Sequence, residues 1–278
     1  MQTYAYENII HKRQFDLQFT LRFDLIDDVN FFSPFHWHNH IELIYVLEGE
    51  IEVKIESKQF ILQPNSIGII NSEKIHSTKL KGHTRYILLQ VPLSAFNQID
   101  NDSIFYNYVD HITKDYSLEL RTILQNMLQI ADSKTAGIKL KFVSLLYELL
   151  FILIQKFRTH SNLQECSNFS KSGINRISPV IAYLEKNFKK DISLTEVASI
   201  ISVTPEHLCR LLKQYTGQTF TEYVLSLRIA SFYQSLQNSQ IKISALLEEN
   251  GIKNYKVFIR EFKKTFNKTP AQIRKEQI

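Results

Sequence analysis

The feature that most constrains this chain is a series of helix-start signals crowded into its last hundred residues. Ser178-Pro179 places a capping hydroxyl ahead of a proline, whose fixed φ and missing N–H suit the first helical position. Ser193-Leu194-Thr195-Glu196, Thr219-Phe220-Thr221-Glu222 and Thr269-Pro270-Ala271-Gln272 read as capping boxes, in which two side chains each satisfy an orphan backbone N–H. Thr204-Pro205 opens another helix, and Gly217 and Gly251 fall where helices should stop. Each signal precedes an apolar run with helical spacing. A segment punctuated in this way stacks short helices.

Two of these stretches repeat one another. Leu194–Ile201, the turn Ser202-Val203-Thr204 and Pro205–Tyr215 form a first helix-turn-helix. Its interior holds Val197, Ala198 and Ile201 against Leu208, Leu211 and Leu212, with Val203 plugging the corner. About 50 residues later, Ile243–Glu249, a turn at Asn250–Asn254 and Tyr255–Phe266 repeat the pattern, with Phe258, Phe262 and Phe266 inward. A helix over Phe220–Leu236, with Tyr223, Val224, Leu227 and Phe232 on one side, links them.

The second helix of such a unit enters the DNA major groove. The outward residues are Glu206, His207, Cys209, Arg210 and Lys213 in the first unit. In the second they are Tyr255, Lys256, Ile259, Arg260, Lys263 and Lys264. Arginine pairs bidentately with guanine, and glutamate accepts from a cytosine amino group. Lys264, Lys268, Arg274 and Lys275 suit phosphates. Charge agrees: from Ser172 onward 16 Lys and Arg face 9 Asp and Glu, a balance of +7, while the preceding residues carry −2. A polyanion partner is thus expected for one part only.

The rest of the chain begins with strands. Phe15, Leu17, Phe19, Leu21, Phe23 and Leu25 alternate as in one half-buried strand. A hairpin is expected at Glu48-Gly49-Glu50, with further strands over Ser66–Asn71 and Thr84–Val91. Helical spacing follows over Leu118–Ala131 and Ala136–Arg158. The helices over 118–158 are apolar enough to suggest dimerisation, with packing on the barrel as the alternative. Their densest stretch, Phe142–Ile154, contains Glu148 and falls short of the ~18 apolar residues of a membrane span. Cys166 and Cys209 have no metal spacing and exclude a disulfide scaffold; with no apolar core near Met1, a cytoplasmic protein is expected. The length of 278 residues suits two domains. The expected division is a barrel over 1–115, a helical dimerisation segment over 116–160, a polar linker over 161–176 and a DNA-binding domain over 177–278.

His36, His38 and His40 alternate onto one strand face, and Glu42 continues it. Imidazoles with a carboxylate can hold Zn, Fe or Mn. The reading adopted here is a polar pocket without a cofactor. It is lined by His36, Trp37, His38, Tyr45, Arg85 and Tyr86, with an arm carrying Lys12 and Arg13 nearby. If a metal is held, its ligands are His36, His38, Glu42 and His76.

Residues 177–274 resemble the DNA-binding domain of the AraC/XylS family of transcription regulators. The resemblance rests on SLTEVA and SVTPEHLCRLLKQYTG in the first unit, TFTEYVLSLR in the linking helix, GIKNYKVFIREFKK in the second unit and the closing TPAQIR. Departures are Leu212, Phe232, Leu247, Ile252 and Asn267. Residues 36–49 resemble the first cupin motif, and His76 corresponds to the histidine of the second. The resemblances imply an α+β chain: a cupin-like β-barrel with following helices, then an all-α domain with two helix-turn-helix units. They imply a non-enzymatic regulator, an activator by family habit, acting as a homodimer on double-stranded DNA. A small-molecule effector, a sugar among the expectations, and RNA polymerase complete its partners. The competing readings are a cupin metalloenzyme fused to a DNA-binding module and an architectural DNA binder without a ligand response.

Overall fold

A computed structural model describes residues 13–16, 20–29, 31–56, 58–92, 107–159 and 170–276. Lys12, Leu17, Phe19, Cys166 and most of the expected linker lie outside these residues. The strands are β1 (Arg13–Asp16), β2 (Thr20–Val29), β3 (Phe32–His36), β4 (His40–Ile55), β5 (Lys58–Leu62), β6 (Ile67–Ile70), β7 (His76–Pro92), β8 (Asn107–Tyr108), β9 (His111–Ile112) and β10 (Arg158–Thr159). Eight of them form one antiparallel sheet in the order β1-β2-β7-β4-β6-β9, with β3 paired to β7 and β5 to β4.

The sheet is built on β4 and β7, which pair from His40↔Pro92 to Ile55↔His76. Their register shifts between Val46 and Glu50, where Gly49 has φ +76°. A Cβ on Gly49 would lie 2.4 Å from the His83 carbonyl oxygen, so only glycine permits this approach. The expected hairpin at Gly49 is therefore a bulge inside one continuous strand. The chain reverses instead beyond Ile55, where Glu56 has φ 52° ahead of β5. The alternation from Phe15 to Leu25 likewise spans two strands, with Phe15 paired opposite Leu21. Period-2 patterning can continue through a short reversal, so alternation alone does not reveal one.

Each face of β4 buries its own core. Ile41, Leu43 and Tyr45 join Leu21, Phe23, Ile87, Leu89 and Val91 beneath two helices, α1 (Leu118–Ile130) and α2 (Ile138–Ile152). Ile44, Val46, Ile51 and Val53 join Ile26, Leu62, Tyr86 and Leu88 on the inside of the sheet. A π turn over Leu153–Phe157 ends α2.

The C-terminal helices are α3 (Ser170–Asn187), α4 (Leu194–Ile200), α5 (Pro205–Thr216), α6 (Phe220–Asn238), α7 (Ile243–Glu249), α8 (Tyr255–Phe266) and α9 (Pro270–Glu276). Thus α3 begins inside the expected linker and runs through Pro179 rather than starting there. Proline inside a helix costs about 3 kcal/mol. Burial of Ile177, Val180, Ile181 and Leu184, each fully enclosed, contributes roughly 1.5–3 kcal/mol apiece and outweighs it. The capping boxes form at Thr219, where the backbone N–H donates to Glu222 Oε2 at 2.8 Å, and at Thr269, whose N–H donates to Gln272 Oε1 at 2.8 Å. At Ser193 only half forms: its hydroxyl caps the Glu196 N–H, while the Glu196 carboxylate accepts from the Tyr183 phenol.

The barrel docks on the helical part through β3. The Tyr223 hydroxyl on α6 donates to the Phe35 carbonyl at 2.5 Å, and that of Tyr233 donates to the Val29 carbonyl at 2.8 Å. Phe35, Trp37 and Ile75 enter the core formed by α3 to α6, and Phe32 packs on the core of the second unit.

Candidate nucleic-acid interface and barrel cavity

The two recognition helices are copies at the level of individual positions. Both α5 and α8 have 12 residues, and adding fifty to a residue number in one gives its counterpart in the other. Leu208, Leu212 and Thr216 are buried in α5, as are Phe258, Phe262 and Phe266 in α8. Thr204 and Asn254 cap the starts, accepting from the N–H groups of His207 and Val257. Gly217 and Asn267 close the ends in the left-handed region, which asparagine tolerates better than most residues. Asn267 thus fills the role a glycine would have.

These buried stripes fix what faces outward. Arg210 and Arg260 occupy one equivalent pair, and Lys213 and Lys263 another; all four are exposed. Glu206, Tyr255, Lys256 and Lys264 are also exposed, while His207, Cys209 and Ile259 are half-buried. Arg210 lies 3.3 Å from His207 Nδ1, and Arg260 pairs with Glu261 at 2.9 Å. Hydrogen bonding to the backbone and to Thr204 at the start of α5 holds the Glu206 carboxyl below its usual range. Lys213 and Lys264 also line a cleft of about 460 Å³ between the two parts, opposite Lys54 and Lys79 of the barrel.

In the barrel, the expected pocket residues scatter. His36 and Tyr86 line the interior cavity. Tyr45 does not: it lies on the opposite face of β4, under α1, where Gln125 donates to its hydroxyl. Arg85 sits at the outer surface, paired with Glu48 at 2.8 Å and Asp27 at 3.4 Å. Trp37 packs against the DNA-binding part. The structure supplies Arg22, Ser33, Glu42 and Gln90 as further polar lining. Arg22 was legible only as a polar position of an alternating strand, a pattern that cannot show that both strand faces are covered. The cavity holds about 40 Å³, room for a few atoms, whereas sites for drug-sized ligands measure roughly 300–1,000 Å³.

His36, His38 and His76 converge, with one ring nitrogen of each within 4.8 Å of the others, all three residues buried. Glu42 Oε2 lies 3.0 Å from His38 Nε2 and accepts from Gln90 at 2.7 Å. Burial alone would raise the Glu42 carboxyl, but the His38 hydrogen bond, the nearby His76 and His38 and the Gln90 amide together hold it well below the usual range. Burial, then His36 and His38, push His76 far down. His40 stands outside this group and offers its carbonyl to His38 Nδ1.

Two family models match separate parts of the chain. Residues 22–150 match the family model of the AraC-like ligand binding domain, and residues 197–276 match a helix-turn-helix domain model. The Msm operon regulatory protein of Streptococcus mutans is 23% identical over 249 residues, covering 88% of this chain and 87% of that protein. An HTH-type transcriptional regulator of Staphylococcus aureus is 24% identical over 245 residues, 87% of this chain but only 32% of that longer protein. Wild-type ToxT of Vibrio cholerae, solved with an unsaturated fatty acid bound, shares the fold with a TM-score of 0.53 at 12% identity, over 91% of this chain and 94% of that one. Among the described residues no helix is long and apolar enough to cross a membrane.

Proposed function

Because the chain belongs to the AraC-type regulators, with an AraC-like ligand-binding domain ahead of a helix-turn-helix domain, we propose that it activates transcription in the cytoplasm when a small effector enters its barrel. The observation that carries this reading is the matched pair of recognition helices, with Arg210 and Arg260 at one position of each. Each reads a base edge in successive major grooves, whose centres lie ~34 Å apart on one DNA face. The 19-residue helix α6 spans about 28 Å at ~1.5 Å per residue and sets this separation. Arg210→Ala and Arg260→Ala should each weaken operator binding by about 1–3 kcal/mol and relax the preference at one base pair. Fluorescence anisotropy with operator variants checks this, and unchanged affinity and sequence preference in both would refute the assignment.

The effector acts through β3, the strand shared by the barrel cavity and the α6 contact. RNA polymerase is the further partner of an activator. The boundaries adopted are 1–115, 116–160, 161–176 and 177–278, with the helical start of the last domain set back to Ser170. Helix α2 is assigned to a homodimer. Leu140, Tyr147 and Phe151 lie along one side of it and are 77%, 41% and 62% exposed. Aromatic and leucine side chains at i, i+7 and i+11 make a narrow seam for a second helix. Leu140→Glu with Phe151→Glu should give a monomer in sedimentation velocity, and a monomeric wild-type protein at micromolar concentration would overturn the dimer.

A further inference from the structure

The histidine cluster names the effector. We infer that His36, His38 and His76 bind a divalent transition-metal ion of the zinc, cobalt or nickel kind, with the Glu42 carboxylate beside it, and that this ion is the small ligand the regulator senses. This rests on the regulatory reading given above.

Three observations carry it. First, the rings are oriented for it. His36 Nδ1 lies 2.8 Å from the Pro34 carbonyl, His76 Nδ1 2.8 Å from the Lys74 carbonyl and His38 Nδ1 3.2 Å from the His40 carbonyl. A carbonyl only accepts, so each Nδ1 carries a proton, and in a neutral ring the lone pair is on Nε2. Backbone carbonyls fix the ring in this way in metal-binding histidines. Second, one Nε2 lacks a protein partner and another faces a carboxylate. His76 Nε2 is buried with no hydrogen-bond partner among the described residues. His38 Nε2 faces the Glu42 carboxylate, so two electron-rich groups 3.0 Å apart require a proton or a cation between them. Third, size agrees: the adjoining 40 Å³ cavity, lined by His36 and Glu42, accepts an ion and its water.

The same residues are wired to the DNA-binding part through their neighbours in the chain. Phe35 and Trp37 flank His36, and Ile75 precedes His76. These three apolar neighbours point the other way, into the core of α3 to α6. The Phe35 carbonyl also receives the Tyr223 hydroxyl of α6. An ion drawing the three imidazoles together therefore acts on the docking strand without an intermediary.

Trp37 is the only tryptophan in the chain and stands between two of the ligands. Titration of the purified full-length protein with Zn²⁺ and Co²⁺ should give one equivalent bound, a change in Trp37 fluorescence and, with Co²⁺, a visible ligand-field band. His76→Gln and His38→Gln, separately, should weaken Zn²⁺ binding by more than the ~10–100-fold that losing an outer hydrogen-bond partner costs. His83→Gln, an exposed position outside the cluster, should leave it unchanged. Using both variants guards against one failing to fold, which circular dichroism shows. Operator affinity should shift at least fivefold with Zn²⁺ in the wild type and not in the two variants. Absence of stoichiometric binding, or binding that survives both substitutions, would overturn the site; binding with no effect on operator affinity would overturn the ion as effector. A protein that binds the ion yet shows no operator affinity in either state would fail as a regulator while leaving the site intact.

Discussion

Phe262→Ala should destabilise the C-terminal domain by about 3–5 kcal/mol, the range for truncating a fully buried aromatic in a core that cannot collapse. Phe262 is 0% exposed and meets Phe258, Phe232 and Phe266 with ring centroids 5.3, 5.6 and 4.6 Å apart. The edge-on contact with Phe232 at 89° adds geometric preference to area. These rings are the centre of the second unit, on which Phe32 of the barrel also packs. Its core consists of these rings with Ile229, Tyr233, Leu236, Leu246 and Ile273, whereas the first unit is backed by α3 and by Phe35 and Ile75 of the barrel. The loss should therefore fall on α7 to α9 and spare the first unit. Urea unfolding followed by circular dichroism gives the stability change, and footprinting should show loss of protection over one half of the operator only. A stability loss below about 1 kcal/mol would mean that the rings do not form one packed core.

The helical half of this protein was legible because its signals are local. A capping hydroxyl, a proline at the first position and an apolar residue every third or fourth place act within one turn, and α5 to α8 fall within two residues of where those signals place them. Where a local signal failed, a long-range contact had won: Pro179 lies inside α3 because four buried aliphatics hold that helix, and Glu196 left its capping role for Tyr183. The barrel was less legible for the same reason. Alternation identifies strands but not their partners, so Gly49 reads as a hairpin until β7 is seen beside it. Period 2 also puts Tyr45 and Glu42 on opposite faces, but only the helices packed on one side show that Glu42 faces the cavity and Tyr45 does not. His36 ends β3 and His38 follows in the short connection to β4, so they converge locally but not on one strand face as their alternation suggests. That His76 meets them depends on the pairing of β3 with β7, where His36 stands opposite His76.

Gly251→Ala should change DNA binding more than any substitution on the recognition surface, because it acts on the geometry between the two units. Gly251 has φ +67°, where an alanine costs roughly 1–2 kcal/mol. Its Cβ would also stand 2.3 Å from the Lys189 carbonyl oxygen and 2.9 Å from its carbon, so backbone must move. Overpacking of this kind costs about 1–3 kcal/mol more. The turn after α3 that it would displace is the junction of the domain. Arg228 of α6 donates to the Phe188 and Lys190 carbonyls at 2.7 and 2.9 Å, and Lys253 pairs with Asp191 at 2.5 Å. The turn of the second unit, the linking helix and the turn after α3 thus meet at one point. Shifting it changes the angle between α5 and α8, so two helices proposed to enter successive grooves should lose joint binding before either loses its own fold. Affinity for the complete operator should fall toward that for a half operator, by about two powers of ten if some 3 kcal/mol of mutual support is lost. Half-operator affinity should stay within severalfold of the wild type. Wild-type stability together with undiminished affinity for the complete operator would show that this glycine does not set the spacing of the two units.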